Sequence, residues 1–266
     1  MNISTRVSCR YAALGLTCML SAVATPAMSD EVTASSSGAW QYEVTPYLWA
    51  AGLDGNIRIN NRPSAGLGVE QSFSDILKIL DFGLMGAFEA RKDRWALLLD
   101  GVYFRVADEG SISGPLGFVS LTGKGKITQQ LYSIAGAYRV SEGSDTVDVI
   151  GGLRYNSVKW DVDISTSVPA TTPNFKQTKS WVDPYIGARV QHSLDKRWTL
   201  MGYADIGGFG AGSDLSWQTI VGANYAFKPD MIGKFGYRYV SNDYDKNDFT
   251  YDIASAGVYL GLGIRW

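Results

Sequence analysis

The chain is almost without cysteine and histidine. Its two cysteines, Cys9 and Cys18, fall within the first 18 of 266 residues, and its one histidine is His192. Beyond residue 18 there is no thiol to form a disulfide, so a disulfide-stapled secreted scaffold is excluded. With one imidazole and no thiol, a nucleophile–base pair is hard to assemble, and no enzyme activity is expected. Long hydrophobic runs are missing too. After residue 30 no apolar stretch approaches 18 residues, which excludes a transmembrane helix. Nor is there a surplus of positive charge. The first 24 residues hold Arg6 and Arg10 and no acid, so 22 basic side chains face 26 acidic ones in the remainder. Nothing in that balance points to nucleic acid.

What is present is glycine, aromatics and alternation. There are 30 Gly, 15 Tyr, 10 Phe and 8 Trp, with 45% hydrophobic and 19% charged residues. That composition is too apolar for disorder and suits strands joined by turns. The N-terminus reads as a secretory signal over residues 1–24: Arg6 and Arg10, an apolar core from 11 to 24, and an Ala22-Val23-Ala24 cleavage site. Residues 25–39 read as a flexible leader and 40–266 as one domain.

Within that domain the period is two. In GVYLGLGIRW (257–266), Val258, Leu260, Leu262, Ile264 and Trp266 share one face, while Tyr259 and Arg265 share the other with three glycines. In 131–140, Tyr132, Ile134 and Val140 alternate with Leu131, Ser133 and Arg139. In 147–158, Val149, Leu153 and Tyr155 alternate with Asp148, Arg154 and Asn156. Short charged turns recur at Lys92-Asp93-Arg94, 141–145, 193–197 and Lys228-Pro229-Asp230. Longer polar stretches fall at 53–81, 107–125, 161–178, 209–213 and 241–249. Short and long connections alternate strictly. The spacing predicts ten strands near 40–52, 82–91, 95–106, 126–140, 145–160, 179–192, 198–208, 214–227, 231–240 and 250–266. An extra hairpin inside 107–125 or 161–178 would change the count, giving a range of eight to twelve.

Taken together, these features predict an all-β fold: a closed antiparallel transmembrane β-barrel with short periplasmic turns and longer outer loops, in a Gram-negative outer membrane. A strand that ends on an aromatic then has a reason, since the last strand must pair with the first, and such an end resembles the signal read by the barrel-assembly machinery. Outer-membrane lipid and lipopolysaccharide are the other expected partners. Trp95 and Trp198, each directly after a short turn, and the terminal Trp266 are expected in the aromatic girdle at the membrane boundary.

The stretches VTPYLWAAGLDGNI (44–57), SFSDILKILDFGLMGAFEARKDRWALLLDGVYF (72–104), VDPYIGARVQHSLDKRWTLMGYADIGGFGAGSDLSWQ (182–218) and FGYRYVSNDYDKNDFTYDIASAGVYLGLGIRW (235–266) resemble a family of porin-like outer-membrane β-barrel proteins of Gram-negative bacteria. The resemblance implies fold and location. It carries no activity and no catalytic residues.

If the apolar faces meet lipid, the opposite faces meet the lumen. Glu89, Asp100, Arg154, Asp183, Arg189, Asp205 and Arg238 are then expected to line it, with Glu43, Arg91, Arg139, Asp148, Lys234 and Arg265 also inside. Ten strands lie near the size at which side chains fill a barrel. Two readings follow: an interior ion-pair network, or a narrow channel for small polar solutes. The alternative to a channel is a non-conducting barrel with a structural or surface-interaction role carried by its outer loops. SFSDILKILD (72–81) breaks the rhythm. Ser72 and Asp75 form a capping box and Ile76, Leu77, Ile79 and Leu80 follow at helical spacing, so a short helix is expected, either on the rim or folded inward. In the inward case Asp75, Lys78 and Asp81 would constrict the lumen.

No cofactor or metal is expected. Asp243, Asp245, Asn247 and Asp248 resemble the start of an EF-hand loop, but position six is Asp248 instead of Gly and position twelve is Ala254 instead of Glu. GGFGAG (207–212) has no following Lys-Ser/Thr and reads as a tight outer turn. His192 abuts a short turn and is expected at the periplasmic rim, whereas barrel hydrolases of the omptin type use a histidine at the outer rim.

Overall fold

The computed structural model describes residues 38–59, 66–113, 120–166, 174–246 and 248–266. The expected signal segment with Cys9 and Cys18, most of the 25–39 leader, the centres of the 107–125 and 161–178 stretches, and Asn247 lie outside the described residues. In chain order the elements are β1 (Gln41–Ile59), β2 (Gly66–Gln71), α1 (Phe73–Ile79), β3 (Leu80–Lys92), β4 (Trp95–Ser113), β5 (Ser120–Ser141), β6 (Asp145–Thr166), β7 (Asn174–Ser193), β8 (Trp198–Gly207), β9 (Leu215–Lys228), β10 (Met231–Lys246) and β11 (Phe249–Arg265).

Ten of these strands form a closed antiparallel ring, β1-β3-β4-β5-β6-β7-β8-β9-β10-β11, and β11 pairs back onto β1. The closing ladder runs from Glu43↔Arg265 to Ile59↔Phe249. It is completed at the bottom by Trp266, whose N–H donates to Tyr42 O at 3.1 Å while Tyr42 N–H donates to Trp266 O at 3.0 Å. A sheet in lipid has no water to satisfy its edges, so closure of this kind is what permits it to span a bilayer.

The short turns sit where the charges predict them, joining β3–β4, β5–β6, β7–β8 and β9–β10. In the third of these the Asp195 carboxylate accepts the N–H groups of Arg197 and Trp198, both at 2.7 Å. Those two bonds, Arg197 first, hold the Asp195 carboxyl below its usual range.

Above the membrane the strands run further than expected. An inclined strand crosses the hydrocarbon in about 9–11 residues, yet β5 and β6 have 22 residues each. Residues 107–113 and 120–125 are the upper ends of β4 and β5, and 161–166 and 174–178 those of β6 and β7. The expectation of loops there is corrected. Polar residues on both faces look like loop in a sequence, but out of lipid a two-sided polar hairpin keeps its ladder. The register sets Lys126 opposite Asp161 and Asp161 opposite Lys176, and Lys176 bridges Asp161 at 3.3 Å. The additional strand lies in the 53–81 stretch instead: β2 folds back on β1 from Leu53↔Gln71 to Arg58↔Gly66.

That return leaves a discontinuity in the wall. The β1–β3 ladder runs from Gln41↔Arg91 to Pro46↔Gly86 and stops. Pro46, which has no N–H, interrupts the other edge of β1, where the pairing with β11 skips from Val44↔Ile264 to Tyr47↔Gly261. From there β3 continues against β4 alone, β1 turns to β2, and α1 lies between, against β1 and β4.

The outer face is apolar. Val44, Leu48, Leu84, Ile134, Val149, Leu153, Ile186, Val221, Val258 and Leu260 are all exposed, Leu48 at 73%. Two aromatic belts bound the band. At the short-turn end Trp95 packs on Tyr138 and Trp198 on Tyr225, each pair 4.8 Å apart, and Trp266 on Tyr42 at 5.8 Å. Farther up, Phe82 meets Tyr103 at 5.8 Å and Trp217 meets Tyr239 at 4.6 Å.

Leu260→Arg places a cation on the lipid face. It is expected to lower the unfolding free energy of the protein refolded into vesicles by roughly 2–4 kcal/mol, the range for arginine near the midplane. Asp195→Ala is expected to destabilise at neutral pH. Because the folded carboxyl titrates below its unfolded value, the gap from the parent protein is full above the ordinary carboxylate range. It closes as pH falls through the lowered value, as an unfolding series against pH would show.

Candidate functional site

The side chains inside the ring are stacked in layers, set by the inward positions of each strand. The lowest layer is charged. Asp148 on β6 is 1% exposed and receives three guanidiniums: Arg139 at 2.9 Å, Arg91 at 2.9 Å and Arg189 at 2.7 Å. Arg189 also reaches Glu89 at 2.8 Å, and Arg91 does so at 2.9 Å. Beside them Glu43 pairs with Lys234 and, at 2.6 Å, with Arg265. These residues come from β1, β3, β5, β6, β7, β10 and β11, so the cluster ties most of the ring together.

The middle layer holds two arginine sites. Arg154 donates to Asp205 at 2.6 Å and to Ser216 at 3.1 Å, and lies 4.7 Å from the Tyr185 ring. Tyr203 donates to the same Asp205 at 2.6 Å. Arg238 donates to Asp100 at 2.9 Å, to the Tyr47 hydroxyl at 2.7 Å and to Gln218 at 2.8 Å, and stacks 4.8 Å from Trp49. Tyr47 in turn donates to Asp100 at 2.8 Å. Arg154 and Arg238 are 1% and 4% exposed. Such buried charges are tolerable because each has an opposite charge and further hydrogen bonds.

The upper layer is mainly apolar, with Gln129, Asn242 and Ser255 set among the apolar side chains. Trp49, Val102, Leu131 and Val240 form one buried cluster. Val158, Trp181, Tyr244, Phe249, Tyr251 and Ile253 form another. The helix α1 closes over the first. Ser72 caps it, its hydroxyl accepting the Asp75 N–H at 3.3 Å, and Ile76 is buried. Phe73, Ile76, Leu77 and Leu80 line a small space of about 60 Å³ with Trp49, Met85, Val102 and Leu131. Below, the interior holds a cavity of about 190 Å³ beside Asp100, Arg154 and Arg238. Beneath that, a vestibule of about 340 Å³ opens at the short-turn end.

Six of the seven charges expected in the lumen, Glu89, Asp100, Arg154, Arg189, Asp205 and Arg238, are thus drawn together in interior ion pairs. Asp183 is placed differently. It is 0% exposed and its partners are neutral: Asn156 at 2.9 Å, Trp181 at 3.2 Å, and the Ser213 hydroxyl and N–H at 2.9 and 2.6 Å. It anchors the outer turn at Gly208–Ser213, whose Gly208 and Gly210 adopt positive φ of 86° and 74°. The trio Asp75, Lys78 and Asp81 does not form the inner face of α1. Asp75 bonds Lys78 at 2.8 Å on the exposed side, which lowers the Asp75 carboxyl, and Asp81 bridges Arg105 at 2.7 Å with both side chains nearly half exposed. The helix presents its apolar side to the barrel, so its amphipathic pattern turns the charges outward. Reasoning from charge alone missed Tyr47, Tyr203 and Gln218. The signal was their shared strand face with Asp100, Asp205 and Arg238. His192 lies at the short-turn end of β7, its Nδ1 2.5 Å from Asp145. Asp243 and Asp245 are on extended β10, opposite Asp252 and Thr250.

A closed sheet with an apolar outer band, two aromatic belts and a charged interior is built for lipid outside and polarity within. The protein is an integral outer-membrane β-barrel. Solved structures of other outer-membrane proteins are similar to it. The outer membrane protease OmpT from Escherichia coli matches with a TM-score of 0.51 at 10% identity, over 88% of this chain and 99% of that one. The translocator domain of the autotransporter NalP from Neisseria meningitidis matches at 0.44, with 13% identity and coverage of 88% and 90%. Ail, the attachment invasion locus protein of Yersinia pestis, matches at 0.36, with 10% identity and coverage of 86% and 99%. No family model matches the chain, and no curated protein matches its sequence.

Asp205→Ala leaves Arg154 buried beside neutral partners. It is expected to cost about 3–5 kcal/mol, whereas the double change Arg154→Met/Asp205→Leu costs clearly less. Denaturant unfolding of the two variants in one detergent checks the ordering.

Proposed function

We propose that the protein is a non-conducting outer-membrane barrel, with a structural or surface-interaction role carried by its outer loops. The observation that carries this reading is the solvent exclusion of inward side chains in the upper layer. Val102, Leu131, Val240, Phe249, Tyr251 and Ile253 are each 0–4% exposed although they point into the barrel. In a water-filled lumen such side chains would be wet. A small polar solute would have to cross this mainly apolar layer and the α1 cover with only a few partners such as Gln129, Asn242 and Ser255, at several kcal/mol for each polar group stripped of water and left unpaired. The fixed ion pairs below fit the same role. They join strands distant in sequence and are committed to one another.

The channel reading retains one supporting feature, the lower cavity and vestibule, which would form a path only if both α1 and the cluster around Trp181 and Phe249 moved. An enzymatic role is disfavoured. His192 lies at the short-turn end, and OmpT, a protease by name, resembles this chain at the level of fold alone.

Planar-bilayer recording separates the readings. The intact protein is expected to show no steady conductance, and so is a variant lacking residues 72–79, because the aromatic cluster around Trp181 and Phe249 remains. Steady conductance of the intact protein would overturn the proposal in favour of a channel. Conductance only after the deletion would make α1 a plug over a latent channel.

A further inference from the structure

The vestibule at the short-turn end has a charge imbalance that the interior pairing does not absorb. Three arginines, Arg91, Arg139 and Arg189, share two carboxylates, Asp148 and Glu89. Lys234 and Arg265 share one, Glu43. Lys196 and Arg197 also line the vestibule, and Arg197 spends a guanidinium N–H on the Tyr225 hydroxyl at 3.1 Å. Each group leaves positive charge over, and all of it faces one concave space of about 340 Å³. The walls are β-sheet backed by lipid, so the field is focused there instead of being screened on all sides. A second observation points the same way. Arg91 is 8% exposed and lines this space, yet its Nη1 has no hydrogen-bond partner among the described residues. That N–H is itself closed to solvent and has no acceptor, so an anionic oxygen would meet it as Arg91 turns toward the vestibule.

We infer that the vestibule is a binding site for a small, multiply charged anion bearing carboxylate or phosphate groups, entering from the periplasmic side. One oxygen would accept from Arg91 Nη1 at the depth of the site. The outer charge would lie between Lys196 and Arg197, with the Gln191 side-chain amide as a neutral donor. Arginine suits the deep position because its planar fork matches carboxylate and phosphate oxygens. The inference concerns the open end of the barrel and stands whether or not the upper lumen conducts.

The test is calorimetric titration of the full-length folded protein in a zwitterionic detergent with citrate and with inorganic pyrophosphate, and with glucose as a neutral probe. Saturable binding of at least one anion and none of glucose is expected. The pair Lys196→Gln/Arg197→Gln, exposed and outside the interior network, should weaken that binding about tenfold. Raising the salt until the Debye length falls to about 8 Å should also weaken it. Arg91→Gln should abolish it. Should that variant fail to fold, the surface pair still decides. Lys78→Gln/Arg105→Gln at the opposite end should leave affinity unchanged. Absence of saturable binding by both anions, equal binding of glucose, or unchanged affinity in the Lys196/Arg197 variant would each overturn the proposal. The preferred anion then tells carboxylate from phosphate chemistry.

Discussion

The pairing of β1 with β11 is the constraint on which everything else rests. A ten-stranded sheet in lipid with one open edge would expose a row of unpaired N–H and C=O groups to hydrocarbon, at several kcal/mol each. Closure removes both edges at once. It also fixes what each residue faces, since alternation along a strand sends neighbours to opposite solvents. Val258, Leu260, Leu262 and Ile264 are exposed because lipid is their solvent, and the interleaved Tyr259 and Arg265 turn inward for the same reason. A slip of one residue in this ladder would put Arg265 in hydrocarbon and Ile264 among the ion pairs. Register is therefore held by the full apolar and charged pattern, not by any one contact.

Closure creates an interior too narrow for bulk water and too polar to collapse on hydrophobicity alone. The chain resolves this by depth. Near the open end, bases outnumber acids in small groups and several members keep access to solvent: Arg265 and Glu89 have side chains 52% and 23% exposed. In the middle, where Arg154 and Asp205 are nearly or wholly without solvent, pairing is one to one and buttressed by tyrosine, serine and glutamine. Higher up the inward side chains are largely uncharged, with Lys179 over the Phe249 ring an exception. The progression follows the cost of desolvation, which rises as water recedes.

Much of this was legible in the sequence because lipid imposes a strict code. Inside the band each strand alternates cleanly, so facing could be read for Asp148, Arg154, Arg189 and Arg238, and the turns announced themselves by charge. The capping box at Ser72 and Asp75 located α1. Legibility failed where the code relaxes. Above the membrane both faces are wet, alternation carries no penalty, and the upper ends of β4 to β7 read as loop. In the apolar plug the inward positions are as hydrophobic as the outward ones. Val102, Val158 and Ile253 therefore gave no sign of pointing into a barrel. Asp183 was grouped with the ion pairs by its face, yet its partners come from a turn 30 residues on, a contact that period alone does not encode.

The break in the wall above Pro46 links these points. A closed ring of uniform ladders would have no place for a helix. Ending the β1–β3 ladder at Pro46↔Gly86 frees the upper part of β1 to bind β2 and brings α1 over Trp49. The helix then presents apolar side chains to an apolar layer and charged ones to solvent, completing the change of polarity that begins at Arg238. The end of the β1–β3 ladder thus separates a positively biased lower part of the barrel from an upper part whose inward side chains are mostly apolar and buried. That division sets the cationic vestibule at one end of the barrel and the buried apolar side chains at the other.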